Sequence, residues 1–83
     1  MDLEDDFKNA QARSQALPTQ SPNVQLVLYG LFKQATVGDA HGKRPGMLDM
    51  RGRAKYDAWA KRSGTSKESA MESYIKEIDT LEG

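Results

Sequence analysis

The chain has 83 residues, of which 29% are charged and 37% hydrophobic, and twelve basic residues balance twelve acidic ones. This length allows a single small domain, residues 1–83, with a thin core, and the composition is that of a folded globular protein. The absence of cysteine excludes disulfides and thiolate sites, and a net charge of zero argues against a general nucleic-acid binder.

The N-terminal segment is acidic where a targeting peptide would be basic, from Asp2 to Asp6. No apolar run approaches the roughly 20 residues that span a bilayer, so we expect a cytoplasmic protein without stable membrane insertion. The first predicted helix runs from Leu3 to Ala16, with apolar residues at helical spacing, and Pro18 stops it.

The second predicted helix begins after Ser21, which has the character of an N-cap and precedes Pro22. It continues to Thr36 and is apolar over most of its circumference. A helix of this kind is buried on more than one side, and in a small bundle one of those sides can cover a ligand.

A long loop is predicted from Val37 to Met50, because glycine and proline recur throughout it. At about fourteen residues it exceeds the usual connection, which favours a functional loop or an overhand crossover. The third predicted helix follows from Arg51 to Arg62, with Gly64 as its C-terminal stop.

The fourth predicted helix opens with Thr65 and Glu68 at the spacing of a capping box. A continuous apolar stripe follows: Ala70, Met71, Tyr74, Ile75, Ile78 and Leu81. The sequence therefore predicts an all-α four-helix bundle of the up-down-down-up type, with the long crossover between the second and third helices.

Catalytic, metal and cofactor sites are not predicted. A nucleophile needs a base within hydrogen-bond reach, and His41, the one histidine, lies in the glycine-rich loop with no serine nearby in sequence. The segment from Gly38 to Lys43 lacks the phosphate-loop pattern and follows no strand. We expect His41 to be an exposed loop residue.

Basic residues interleaved with aromatic ones are the more informative pattern. Tyr29 and Lys33 are four residues apart on the second helix and share a face, close to Phe32. Arg51 and Lys55 are also four apart, and a bound anion would relieve their repulsion. The sequence thus predicts a basic and aromatic site for an anionic ligand.

Ordinary structural roles compete with that interpretation. Pairs of Asp57 with Arg53 or Lys61 would neutralise the same charges without a ligand. Aromatic residues at helical spacing are more often core than contacts, and we expect Trp59 to be core. Lys and Arg on helices commonly form only a solvated face.

Local strings of the chain resemble the acyl-CoA-binding protein family, in the family's order and spacing. The strings are Tyr29–Asp39, Arg44–Asp49, Gly52–Trp59, Gly64–Met71 and Tyr74-Ile75. The second of them reads RPGMLD, as in the family. The resemblance implies a four-helix carrier of medium- and long-chain acyl-CoA esters.

The same resemblance implies a role for each matched residue. Tyr29 and Lys33 would hold the adenine and 3′-phosphate region, Lys55 would join them on the phosphates, and Tyr74 would cover the nucleotide. Arg51 stands where the family usually has a lysine. The acyl chain would run along an apolar surface that includes Leu26 and Phe32.

The first helix matches the family poorly. Gln15 stands where the family has a ligand-contacting lysine, and Arg13 is a possible substitute. Ala10 and Gln15 on this helix are weaker candidate contacts, and so is Leu26 on the second helix. We expect a monomer that binds long-chain acyl-CoA and no nucleic acid, and the alternative function is a protein-interaction module that uses the exposed face of the second helix.

Overall fold

The computed structural model describes residues 2–83, which form four α-helices. Each helix begins at a side chain that accepts a hydrogen bond from a backbone N–H of its first turn, as Asp and Ser do at N-caps. The caps are Asp2, Ser21, Asp49 and Ser66. The helices are α1 (Leu3–Ser14), α2 (Pro22–Thr36), α3 (Met50–Ala60) and α4 (Lys67–Glu82).

The helices pack in the spatial order α1, α4, α2, α3, so α1 and α3 lie at opposite edges. Contacts of α2 with α3 keep a constant offset along the chain: Tyr29 meets Lys55, and Lys33 meets Trp59. The two helices therefore run in the same direction. This confirms the predicted all-α bundle, with its long crossover between two parallel helices.

The core lies where α4 packs between α1 and α2. Its largest members are Phe7, Leu31, Tyr74 and Ile78, completed by the small residues Ala10, Ala35 and Ala70. The stripe predicted on α4 supplies three of these residues, and its other members, Met71, Ile75 and Leu81, pack half-buried against them. As predicted, α2 is buried on two sides, by α3 and by α4.

Two side chains of α3 anchor the first half of the crossover loop by hydrogen bonds to its backbone. Trp59 Nε1 donates to the carbonyl oxygen of Gly38 at 2.7 Å, and the Tyr56 hydroxyl donates to that of Gly42 at 3.1 Å. Arg44 forms a bidentate pair with Asp57 at 2.8 and 2.7 Å. Asp57 therefore forms its ion pair with the loop, and the alternative pairs with Arg53 or Lys61 do not form at ion-pair distance among residues 2–83.

Three helix boundaries differ from the prediction. The helix α1 ends at Ser14 and not at Ala16, and α3 is Met50–Ala60 and not 51–62. In both helices the next N–H groups donate to carbonyls three residues back, which tightens the last turn. The cap of α4 is Ser66, whose Oγ accepts from the Ser69 backbone N–H at 3.0 Å, so the predicted capping box of Thr65 and Glu68 does not form.

Candidate functional site

A groove of about 610 Å³ lies between α2 and α3. It brings together four of the predicted residues, Leu26, Tyr29, Arg51 and Lys55, although α2 and α3 are separated by the whole crossover loop. The parallel packing of the two helices places Tyr29 opposite Lys55. The lining of the groove therefore combines the cations Arg51 and Lys55 and the ring of Tyr29 with the apolar residues Leu26 and Ala54.

Two lysine side chains beside this groove rest on aromatic rings. The Nζ of Lys55 lies 5.2 Å from the centroid of the Tyr29 ring, and the Nζ of Lys33 lies 4.7 Å from that of Trp59. Within residues 2–83 neither ammonium group has a carboxylate at ion-pair distance. A cation–π contact at an exposed site is worth roughly 0.5–1 kcal/mol, less than a charge-assisted bond to a phosphate, so both groups are available to an anion.

A second hollow, of about 450 Å³, lies on the other side of Tyr29, towards the turn between α1 and α2. It contains the predicted residues Phe32 and Tyr74, and Tyr29 lines both hollows. The Tyr74 ring is only 6% exposed and packs edge-on against Phe7, with ring centroids 5.1 Å apart. Tyr74 is thus both a core residue and part of the wall of this aromatic hollow.

The first helix contributes little to either hollow. Ala10 has no exposed surface, belongs to the core and lines neither hollow, and its contact with a ligand stays a prediction. Gln15 is exposed at the C-terminal end of α1 and lines neither hollow. To the second hollow α1 supplies Ser14, and the turn that follows it supplies Leu17, Pro18, Thr19 and Gln20.

Arg13 is also unavailable as a substitute for the missing lysine. Its guanidinium donates to Asp79 at 3.0 Å and to Glu82, so it joins the C-terminal ends of α1 and α4. The bond to Asp79, together with the neighbouring Glu82, raises the pKa of Arg13 above its ordinary value. The cations near the predicted site therefore come from α2 and α3 and not from α1.

An apolar seam extends the groove along α2 and α3. A third hollow of about 430 Å³ shares Leu26 and Ala54 with the groove and adds Val27 and Ala58. The sequence analysis missed Ala54 and Ala58 as site residues. Their spacing of four on α3 indicates one helix face, and small side chains on that face leave room for an elongated apolar ligand.

Met50 and Gln25 also line the groove, and neither is among the predicted site residues. His41 is exposed, as expected, and its ring lies edge-on to Trp59 with centroids 5.5 Å apart. Trp59 itself is 7% exposed, so it is a core residue that also supports Lys33.

Among residues 2–83 there is no group of three or more His, Cys, Asp or Glu side chains that could hold a metal ion. In the same range no helix has both the length and the apolar character needed to cross a membrane.

Comparison with known proteins points to one family. The model of the family described as "Acyl CoA binding protein" matches residues 4–78. A relative from Ricinus communis named acyl-CoA-binding protein is 46% identical, over 100% of this chain and 93% of its own length. An acyl-CoA-binding protein homolog from Manduca sexta is also 46% identical, over 98% of this chain and 92% of its own length.

Solved structures agree with this result. The crystal structure of Oryza sativa acyl-CoA-binding protein 2 superposes with a TM-score of 0.93 at 42% identity, over 96% of this chain and 90% of that one. The corresponding protein from Moniliophthora perniciosa superposes with a TM-score of 0.88 at 40% identity, over 98% of this chain and 80% of that one.

Proposed function

This chain belongs to the acyl-CoA-binding protein family, and we propose that it binds medium- and long-chain acyl-CoA esters as an intracellular carrier. The observation that carries the proposal is the groove between α2 and α3, which is lined by Tyr29, Arg51 and Lys55 and continues into an apolar seam. A ligand with an anionic head and a hydrocarbon tail matches this combination of cationic residues and an apolar seam.

The cations of the groove suit the CoA head group, because its phosphates require fixed cations at short range. Arg51 and Lys55 line the groove together with Tyr29, and Lys33 is one helical turn beyond Tyr29 on α2. Lys33 would leave the Trp59 ring to reach a phosphate. We assign the second hollow, with Phe32 and Tyr74, to the adenine ring, because aromatic side chains offer it a stacking surface. Phe32 thereby moves from the acyl-chain surface implied by the family resemblance to the nucleotide side, since it lines neither the groove nor the apolar seam.

The apolar seam suits the acyl chain. Leu26, Val27, Ala54 and Ala58 line it, and most of its surface is apolar, although Asn23, Asp57, Lys61 and Arg62 also line it. Each buried methylene contributes ~0.8 kcal/mol, so a dozen contribute roughly 10 kcal/mol before the cost of immobilisation is subtracted. The head group would therefore set the specificity for CoA, and the chain length would tune the affinity.

We further propose that the protein is a cytoplasmic monomer that has no catalytic activity, needs no cofactor and binds no nucleic acid. The alternative function is a protein-interaction module on the exposed face of α2. Several accessible residues of that face, Pro22, Gln25, Leu26 and Tyr29, line the groove that we assign to the ligand, which favours the carrier function.

Isothermal titration calorimetry tests the proposal. We expect one palmitoyl-CoA per chain, much weaker binding of CoA alone and of free palmitate, and rising affinity along a series of acyl-CoA chain lengths. Equal affinity for palmitate and palmitoyl-CoA would contradict the role assigned to the basic residues. Absence of any binding would contradict the carrier function itself.

A further inference from the structure

Three strongly exposed apolar side chains lie at residues 47–50, where the crossover loop passes into the first residue of α3, and we call this segment the tip. Met47, Leu48 and Met50 are exposed by 78%, 102% and 79%. The Asp49 backbone N–H donates to the carbonyl oxygen of Gly46 at 3.0 Å, so Met47 and Leu48 occupy the two central positions of a turn. Turns ordinarily place Gly, Pro, Asn, Asp or Ser there, so neither turn geometry nor the core explains these residues.

The loop holds this tip away from the body of the protein. Behind it, Arg44 is paired with Asp57 of α3 at 2.7 Å, and Tyr56 donates to Gly42 at 3.1 Å. Ahead of it, Asp49 caps α3 by accepting from the Gly52 backbone N–H at 2.9 Å. Because both flanks are fixed, the two central side chains cannot fold back onto the core without breaking these bonds.

The tip lies at the cationic edge of the molecule. From His41 to Arg62 the chain holds seven basic residues and two acidic ones, whereas the rest of the chain holds five basic and ten acidic residues. Both acidic residues of the segment are engaged, Asp57 with Arg44 and Asp49 at the α3 cap. Nine of those ten acidic residues lie on α1, at its cap or on α4, and α2 separates these two helices from α3, so the charge is separated across the molecule.

We propose that Met47, Leu48 and Met50 dock this protein on the surface of an anionic lipid bilayer. Apolar side chains enter the boundary between headgroups and acyl chains, and Lys43 and the other exposed cations of the segment meet the lipid phosphates. The acidic helices, α1 and α4, are separated from these cations by α2. An uncharged or cationic surface would not match this separation of charge.

Docking would also orient the ligand groove. Met50 belongs both to the tip and to the lining of the groove, so the groove opens beside the docked surface. In this orientation the protein could load and release acyl-CoA at the bilayer, and that step rests on the function proposed above. Docking by the tip does not depend on that function.

A single fluorescent label tests whether the tip enters the bilayer. The chain has no cysteine, so Leu48→Cys carries one thiol for an environment-sensitive dye. We expect a blue shift and a gain in intensity with vesicles of phosphatidylcholine and phosphatidylserine, and a much smaller change with phosphatidylcholine alone. Val37→Cys is the matched control, because Val37 is 42% exposed at the far end of the same loop and should show no shift. Equal shifts at both positions, or none at position 48, would overturn the proposal.

Sedimentation with the same mixed vesicles tests the energetic role of the tip. The double variant Met47→Ser, Leu48→Ser should bind about tenfold more weakly, since it loses most of the inserted apolar surface. Lys43→Gln should bind more weakly only to the vesicles that contain phosphatidylserine. Unchanged binding of the double variant to the vesicles would overturn the proposal. It would also be overturned if the unaltered protein formed dimers and the double variant did not, because the tip would then bind a second copy of the chain.

Calorimetry with palmitoyl-CoA separates this proposal from the carrier function. The double variant should keep the affinity of the unaltered protein in solution, because neither substituted residue lines the groove. A protein that binds the mixed vesicles through its tip but binds no acyl-CoA would support docking and contradict the carrier function.

Discussion

At the scale of single residues, Lys33 and Lys55 have the most direct connection to ligand chemistry. Each ammonium group lies over an aromatic ring and has no carboxylate partner among residues 2–83. The rings hold the two cations in defined places without neutralising them. Arg13 differs from both lysines, because its charge is paired with Asp79 and Glu82 and stabilises the packing of α1 on α4.

Replacing Lys33 by alanine should weaken palmitoyl-CoA binding by more than about 1 kcal/mol, since a charge-assisted hydrogen bond is lost. The melting temperature should change little, because the side chain is not part of the core. Calorimetry measures the first quantity and circular dichroism the second. Lys76→Ala on α4 is the matched control and should leave both unchanged. An affinity unaffected by Lys33→Ala would move the phosphate site elsewhere.

At the scale of elements, α2 organises the molecule because it is the helix that contacts both α3 and α4. Its approach to α3 is very close at Gly30, where a Cβ atom would collide with the carbonyl oxygen of Ala58. The groove between the two helices depends on that approach, because Tyr29 and Lys55 face each other across it.

Replacing Gly30 by alanine should therefore destabilise the fold by about 1–3 kcal/mol, the usual cost of overpacking, even though alanine is the better helix former by roughly 1 kcal/mol. Displacement of α3 should also weaken palmitoyl-CoA binding. Urea denaturation and calorimetry measure the two effects. Gly46→Ala is a suitable control, because a Cβ atom there meets no neighbour within 4 Å. A Gly30→Ala protein as stable as the unaltered one would show that α3 has room to shift.

At the scale of the whole molecule, two carboxylates hold the crossover loop to the rest of the chain. Asp39 Oδ1 accepts from the Gly64 backbone N–H at 2.9 Å and from the amide of the buried Gln34 at 2.8 Å, and these bonds lower the pKa of Asp39. The Arg44 guanidinium likewise lowers the pKa of Asp57. The same Gln34 amide donates to the Thr65 carbonyl oxygen at 2.7 Å, which ties α2 to the turn before α4.

The stability of the protein should consequently fall in acid. A carboxyl group whose pKa is lower in the folded state stabilises the fold above its ordinary pKa, which is about 3.9 for Asp, and loses this contribution as the pH falls through the lowered value. Urea denaturation between about pH 6 and pH 2 measures the loss. In the double variant Asp39→Asn, Asp57→Asn the dependence should be shallower and the stability near neutral pH lower. An unchanged slope would exclude these two residues as its source.

Much of the fold could be predicted from the sequence, because helices depend on residues close together in the chain. The predicted elements follow from signals that each extend over a few positions. Examples are the start of α2 at Ser21 and Pro22, the apolar stripe of α4 and the glycines of the crossover loop. The helix ends were less predictable, because tightened last turns and the choice between Thr65 and Ser66 as cap depend on neighbouring elements.

The sequence by itself determined four helices, a long crossover, a basic and aromatic set of residues, and family membership through its matching strings. Only the tertiary structure decided which of those residues share a hollow. Tyr29 stands between two hollows, Ala10 is enclosed in the core, and Lys33 rests on Trp59. The physical reason is that such contacts depend on which faces of distant helices meet, and that is set by the packing of α2 between α3 and α4.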